Sequence, residues 1–228
     1  MHFLSTLQGN GMAETFEDAA GRRILSLDLP EANVVFYPSF FPATEADRLL
    51  AQLIETSEWR QDSFKIFGQQ KPLPRLTAWY GDPGTRYVYS GIVNEPLPWT
   101  DALLEIKGPA EATSGVAFNG VLLNRYRTGK DSMGWHADDE PEFGDDPVIA
   151  SVSFGGTRNF QLKHKTRKEL KGSVELTHGS LLVMRGGTQA NWLHQVPKTA
   201  KPVEERLNLT FRRIIDPRLT TSLDRRET

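Results

Sequence analysis

The chain contains no cysteine in its 228 residues, which removes disulfide frameworks, thiolate zinc sites and cysteine nucleophiles together. A reducing compartment is compatible with that absence. No apolar run approaches the roughly 20 residues that a membrane-crossing helix needs. The opening MHFLSTLQGNGMAETFEDAAG also lacks the basic segment and the continuous apolar stretch of a secretion signal. These absences predict an intracellular protein with no membrane partner, cytoplasmic in a bacterium and nuclear in a eukaryote. Net charge is scarce too: 27 Lys and Arg against 29 Asp and Glu leave −2. A broad positive field is therefore excluded, and any nucleic-acid contact must come from a local patch.

What is present is enough apolar material, 38% of residues, for one sizeable core, so we expect a single domain over residues 1–228 that acts as a monomer. Residues 1 to about 30 carry little periodicity, and much of this segment is expected to be loosely held. A short strand is predicted at Val34–Tyr37. Thr44 followed by Asp47 reads as a helix start, and Leu49, Leu50, Leu53 and Ile54 recur at helical spacing, which predicts a helix near 45–57. A second helix is expected from Trp99 to Ile106, ended or kinked by Gly108-Pro109. From Val116 onward short β-type runs separated by turn residues point to a sandwich or barrel. Residues 216–228 read as a solvated tail.

One strand places polar side chains where an apolar face is expected. In RLNLTFR, successive side chains alternate, so Arg206, Asn208, Thr210 and Arg212 share one face and Leu207, Leu209 and Phe211 the other. Alone, this is equally an ordinary half-exposed strand with a cationic face in water. In GVLLNRY, however, Leu122, Asn124 and Tyr126 share a face while Arg125 and Arg127 point away, which sets an amide and a phenol beside the core. Converging donors of this kind suit an anion pocket, and two arginines can grip a dicarboxylate.

In WHADDE, His136 and Asp138 lie two apart and project from one face of an extended segment. His194, in NWLHQVP, is a third candidate ligand, or else a hydrogen-bonded core histidine. Two imidazoles and a carboxylate form the facial set of non-haem Fe(II) oxygenases, which leaves positions open for a 2-oxo acid and O₂. A structural zinc site would be closed by four protein ligands. His2, His164 and His178 have no such partners and read as surface or packing residues.

The order N-x-Y (Asn124, Tyr126), W-H-x-D-D-E (135–140), S-V-S-F-G (151–155), H-G-S-L-L (178–182), His194 and R-x-N-L-T-F-R (206–212) resembles the AlkB family of nucleic-acid dealkylases. Tyr80–Asp82, Tyr87–Gly91 and Ile149–Gly155 are most similar to its double-strand-DNA-acting branch. The resemblance implies an α+β, mainly β fold with flanking helices. Its core would be a double-stranded β-helix, or jelly roll, at about 116–215, with N-terminal helices and a nucleotide-recognition lid at about 31–115. It implies that His136, Asp138 and His194 bind Fe(II). Arg206 would pair with the distal carboxylate of 2-oxoglutarate, and Arg212, Asn208, Asn124 and Tyr126 would hold the rest. Glu140 falls where the family contacts the exocyclic amine of the damaged base, and Tyr87 and Tyr89 match lid aromatics. The implied reaction consumes 2-oxoglutarate and O₂, yields succinate and CO₂, and hydroxylates an N-alkyl carbon that leaves as formaldehyde.

A base must leave the stack to reach a buried site. Phe67, in KIFGQQKPLPR, sits where duplex-acting relatives carry an apolar finger; it is equally a member of a local cluster. Arg75, at the end of the same run, is expected on the substrate side. KHKTRKELKG, with Lys163, Lys165, Arg167, Lys168 and Lys171, is either a solvated hairpin tip or the basic loop that grips DNA, single- or double-stranded. Asp145 and Asp146 have no assigned role. Alternatives are an oxygenase acting on RNA, a protein side chain or a metabolite, and a jelly-roll binding module without chemistry.

Overall fold

The computed structural model describes residues 13–18, 21–66, 69–85, 87–89 and 92–215, with backbone only for 13, 64–66, 87–89 and 92–94. The first half runs β1 (Ala13–Glu17), β2 (Arg23–Leu27), β3 (Asn33–Tyr37), α1 (Ala43–Thr56), β4 (Ser63–Ile66), β5 (Gln69–Pro72), β6 (Leu76–Gly81), β7 (Tyr87–Tyr89), β8 (Ile92–Asn94) and α2 (Asp101–Ser114). The second half runs β9 (Gly120–Tyr126), β10 (Met133–His136), a 3₁₀ turn (Pro141–Phe143), β11 (Ile149–Gly155), β12 (Arg158–His164), β13 (Lys171–Leu176), β14 (Ser180–Arg185), α3 (Thr188–Asn191), β15 (Trp192–Val196) and β16 (Arg206–Arg212).

Two antiparallel sheets make the jelly roll. An eight-stranded sheet has the order β1-β2-β3-β14-β11-β16-β9-β6, and a four-stranded sheet the order β10-β15-β12-β13. The segment expected to be the catalytic core, 116–215, supplies β14, β11, β16 and β9, whereas β1, β2, β3 and β6 come from earlier in the chain. Hairpins β4–β5 and β7–β8 flank the edge strand β6. Among the described residues, no helix is long and apolar enough to cross a membrane.

The large sheet is covered on both faces. On one, Ala46, Leu49 and Leu53 of α1 and Ala102, Leu103, Ile106 and Ala110 of α2 pack against Val121, Leu123, Val152, Val183, Leu209 and Phe211. On the other, Val34, Phe36, Ile149 and Met184 meet Phe160, Leu162, Val174 and Trp192 of the small sheet's side. Helix α1 buries positions spaced three and four apart, as an amphipathic helix must.

Two local expectations need correction, and one gains detail. Within the first 30 residues, β1 and β2 extend the large sheet, and Leu25 and Leu27 alternate into the core. Five residues are too few for that alternation to stand out in sequence. Thr44 does not cap α1, which begins one residue earlier after an extended Pro42 with no side-chain cap. Burial of Phe40 and Phe41 and the Phe41 N–H donating to the Gly179 carbonyl at 2.9 Å set the chain entry instead. Helix α2 does not stop at Gly108-Pro109. It runs from a Thr100 cap to Gly115 at φ 72°, because Ile106, Ala110 and Ser114 keep one stripe buried across the proline, which offsets its missing N–H.

Candidate metal centre and anion pocket

Strands β10 and β15 pair so that His136 stands directly opposite His194, with ring centroids 4.2 Å apart. Asp138 follows two residues past the end of β10. One ligand atom from each of the three residues lies within 4.8 Å of the others, so the group could hold a metal ion. Asp138 Oδ1 accepts from Arg212 Nη2 at 2.5 Å, and its backbone N–H donates to Gln189 Oε1 at 2.9 Å. Its Oδ2 is buried without a hydrogen-bond partner, 3.8 Å from His194 Nε2. His136 Nδ1 lies 2.8 Å from the Gly134 carbonyl, which can only accept, so Nδ1 carries the proton and Nε2 keeps its lone pair.

The electrostatics prepare the same donor set. Burial pushes His194 down to about 3, with the neighbouring His136 adding to the effect, and burial likewise lowers His136. Both imidazoles are therefore neutral at neutral pH, the form that binds metals. Burial opposes ionisation of Asp138, yet the Arg212 guanidinium and the two imidazoles outweigh it and hold the carboxyl at about 2. Two neutral imidazoles and one carboxylate, with a buried carboxylate oxygen lacking a partner, fit a divalent transition metal.

Beside this centre, all four polar residues of β16 point between the sheets, into a narrow cleft that is partly open to solvent. Asn124, Tyr126, Arg206, Asn208 and Arg212 line the same cleft as His136, Asp138 and His194. Arg206 is 1% exposed. Its Nη2 donates to Ser153 Oγ at 2.9 Å and its guanidinium carbon lies 5.0 Å from the centre of the Tyr126 ring. Its Nε and Nη1 make no well-formed hydrogen bond within the protein, and a side-chain contact with Tyr126 favours the charged form. Burial lowers its pKa to about 10, against the pull of Tyr126, so it remains a cation. A buried cation with unfilled N–H groups is unfavourable unless an anion completes it, which makes this the natural seat for a carboxylate. Asn208 Nδ2 donates to Ser151 Oγ at 2.7 Å, and Thr210 Oγ1 donates to Asn208 Oδ1 at 3.2 Å.

Other expected residues lie elsewhere. Arg75 is not on the surface: it is 2% exposed, and its Nε donates to Asn124 Oδ1 at 2.7 Å, so it orients a lining residue from behind. Lys165 Nζ donates to Asp139 Oδ2 at 2.8 Å, and Arg167 pairs with Glu31. Lys168 is exposed. His164 organises this loop, its Nδ1 accepting from the backbone of Thr166 and Arg167 at 3.2 and 3.0 Å. Glu140 is half-buried at the start of the 3₁₀ turn, and Asp146 caps the Gly187 N–H at 3.0 Å. Phe67 lies outside the described residues, as do the side chains of Tyr87 and Tyr89 within β7.

Sequence reasoning missed Ser151, Ser153 and Gln189. The serines alternate in IASVSFG and share the inter-sheet face, so the period of two could have found them. Gln189 carries no such signal, because its partner is 51 residues away.

Residues 33–212 match the family described as the 2OG-Fe(II) oxygenase superfamily. The protein named alpha-ketoglutarate-dependent dioxygenase alkB homolog 3 is 44% identical over 197 residues in both Rattus norvegicus and Homo sapiens. That alignment covers 82% of this chain and 66% and 68% of those two proteins. DNA oxidative demethylase ALKBH2 of Homo sapiens is 38% identical over 189 residues, 78% of this chain and 72% of that protein. The chain thus spans about two thirds of the length of the curated relatives it matches first. The solved structure of OsALKBH1 superposes with a TM-score of 0.57 at 18% identity, over 79% of this chain and 97% of that one, which shows a shared fold. Neutral His136 and His194, ionised Asp138 and the buried Arg206 seat agree with these matches: the chain belongs to the 2OG-Fe(II) oxygenase superfamily and to the AlkB family within it.

Proposed function

We propose that the chain oxidatively removes alkyl groups from N-alkylated bases of DNA, of the 1-methyladenine and 3-methylcytosine type. The reaction turns 2-oxoglutarate and O₂ into succinate and CO₂, and the alkyl carbon leaves as formaldehyde. The observation that carries this reading is a three-residue ligand set lying beside a buried arginine with two unfilled N–H groups. The name of the relative DNA oxidative demethylase ALKBH2 supports the substrate class.

In this reading His136, Asp138 and His194 hold Fe(II), and the Nε and Nη1 of Arg206 take the distal carboxylate of 2-oxoglutarate. Fe(II), once bound with its co-substrates, supplies the oxidation of the alkyl carbon. Arg212 keeps Asp138 ionised and aimed, and Asn208 and Thr210 present polar atoms to the co-substrate between them. Phe160, Leu176 and Val196 form an apolar wall that limits water around the oxidised carbon. Arg75 holds the Asn124 amide in its orientation. Glu140, Tyr87 and Tyr89 would meet the everted base, Phe67 would fill the gap it leaves, and the half-buried Arg167 and the exposed Lys168 would meet phosphates. The protein would act as a monomer.

The test is restoration of 1-methyladenine or 3-methylcytosine in an oligonucleotide by purified protein with Fe(II), ascorbate and 2-oxoglutarate. His136→Ala should drop turnover to background. No turnover on single- or double-stranded DNA would defeat the proposal, and turnover confined to RNA would replace its substrate. Phe67→Ala should weaken activity on duplex selectively; equal loss on single strands would remove the wedge role.

A further inference from the structure

The two candidate histidine ligands face each other across the β10–β15 ladder, just past a register shift between Met133 and His136. Asp138 is outside that ladder. It lies past the last residue of β10, in a stretch that belongs to no strand or helix. A carboxylate on unsupported backbone would sample many positions, yet here it converges on the two imidazoles.

Arg212 holds the carboxylate itself, and two further contacts fasten the backbone of that stretch. The side-chain Oε1 of Gln189 accepts the Asp138 N–H at 2.9 Å. The Nζ of Lys165 donates to Asp139 Oδ2 at 2.8 Å and also to the Gln189 carbonyl at 2.9 Å. Gln189 is 2% exposed and sits in α3, whose chain continues directly into β15 and His194. Its Nε2 rests 3.6 Å from Met184 Sδ, so the amide is seated at both ends. The backbone of Lys165 is tied to the same segment, its N–H donating to the Asn191 carbonyl at 2.8 Å. A neutral amide suits the inner position, because it anchors the backbone without adding a charge beside the metal. A flexible cation suits the outer position, where Asp139 is exposed.

We propose that Gln189 and Lys165 are positioning residues of the metal centre, bracing residues 138–139 against α3 so that the Asp138 carboxylate meets both imidazoles. The proposal rests on the Fe(II) reading of that centre. It gives Lys165 a role different from the phosphate contact expected of the basic loop: its ammonium is committed to the ligand segment.

The probe is Mn(II), a redox-stable substitute that the same donor set binds, titrated into the full chain while free ion is followed by electron paramagnetic resonance. Outer partners of metal ligands typically change metal affinity by roughly 10- to 100-fold. Gln189→Leu should weaken Mn(II) binding on the order of 10-fold or more on that scale. Lys165→Met should weaken it less, and Lys165→Arg, which keeps a cationic donor, should bind as the unaltered chain does. In chelator the thermal unfolding midpoint of Lys165→Met should match that of the unaltered chain, whereas Gln189→Leu, which leaves the buried Asp138 N–H without an acceptor, should melt lower. Should Gln189→Leu fail to fold, Lys165→Met decides the matter by itself. Unaltered affinity in both Gln189→Leu and Lys165→Met, with binding lost in His136→Ala, overturns the brace and leaves the metal centre standing. Absence of Mn(II) binding by the unaltered chain overturns both. Weaker oligonucleotide binding by Lys165→Met at unchanged Mn(II) affinity returns Lys165 to the phosphates and refutes its share of the brace.

Discussion

The layers on the two faces of the large sheet are built by the same strands and follow opposite rules. Every residue of β16 is buried. Leu207, Leu209 and Phe211 enter a dry layer under α1 and α2, where Phe211 lies parallel to Trp99 at 6.4 Å and against Phe118 at 6.0 Å. Arg206, Asn208, Thr210 and Arg212 enter the space between the sheets, where two N–H groups of Arg206 make no well-formed hydrogen bond within the protein. Burial alone therefore does not say what a residue is for. On the helix side it supplies stability through dispersion and removal of apolar surface from water. On the inter-sheet side it holds a cation in readiness for a ligand, at a cost to stability.

The sharpest way to break this comparison is to truncate one residue from each face. Phe211→Ala should destabilise the fold by about 3–5 kcal/mol, the range for removing a core aromatic, read by chemical denaturation. A loss below about 1 kcal/mol would mean that the helix layer is not where stability resides. Arg206→Met should weaken 2-oxoglutarate binding by about 100-fold, or about 2.8 kcal/mol. Its unfolding midpoint without ligand should be equal to or above that of the unaltered chain. A lower midpoint would show that the arginine is structural and would erase the difference between the faces.

A smaller effect tests polar burial that is fully satisfied. Asp131 accepts from the backbone N–H of Arg127 at 2.9 Å and from its guanidinium at 2.8 and 3.0 Å. Burial raises its pKa, but those bonds and the Arg127 and Arg158 charges prevail and the net shift is downward. A depressed folded-state pKa means that the contribution is present above the unfolded-state value of about 3.9 and lost as pH falls through the folded value. Asp131→Asn should thus cost about 1.5–3 kcal/mol at pH 7, as expected for charged hydrogen bonds. The gap from the unaltered chain should close as the pH falls below about 4. A gap that persists in acid would mean that the ionised form contributes nothing. Asp131 and Arg206 together then sharpen the contrast: a completed polar group stabilises, an incomplete one waits.

Much of the site was legible because strands alternate. The purity of both faces in RLNLTFR follows from backbone geometry, and the structure turns its polar set inward; Asp138 joins His136 although it lies past the end of β10. The partners of Arg75 and Lys165 were not legible for a shared reason. A charged residue near a loop looks solvent-facing in sequence, and only the fold reveals a partner such as Asn124 or Asp139. The continuation of α2 through Pro109 was hidden likewise, because local propensity argues for a break and the buried stripe beyond it depends on the sheet.

By itself the sequence determined the donor types, their order along the chain and the face each takes on its strand, since these depend only on side-chain chemistry and a period of two. Tertiary structure alone decided that His194 stands opposite His136, and that Gln189 and Lys165 hold the segment bearing Asp138. It also decided that Arg206 is left with unfilled N–H groups. Those are relations between segments 24 to 58 residues apart, and nothing short of the packing of two sheets specifies them.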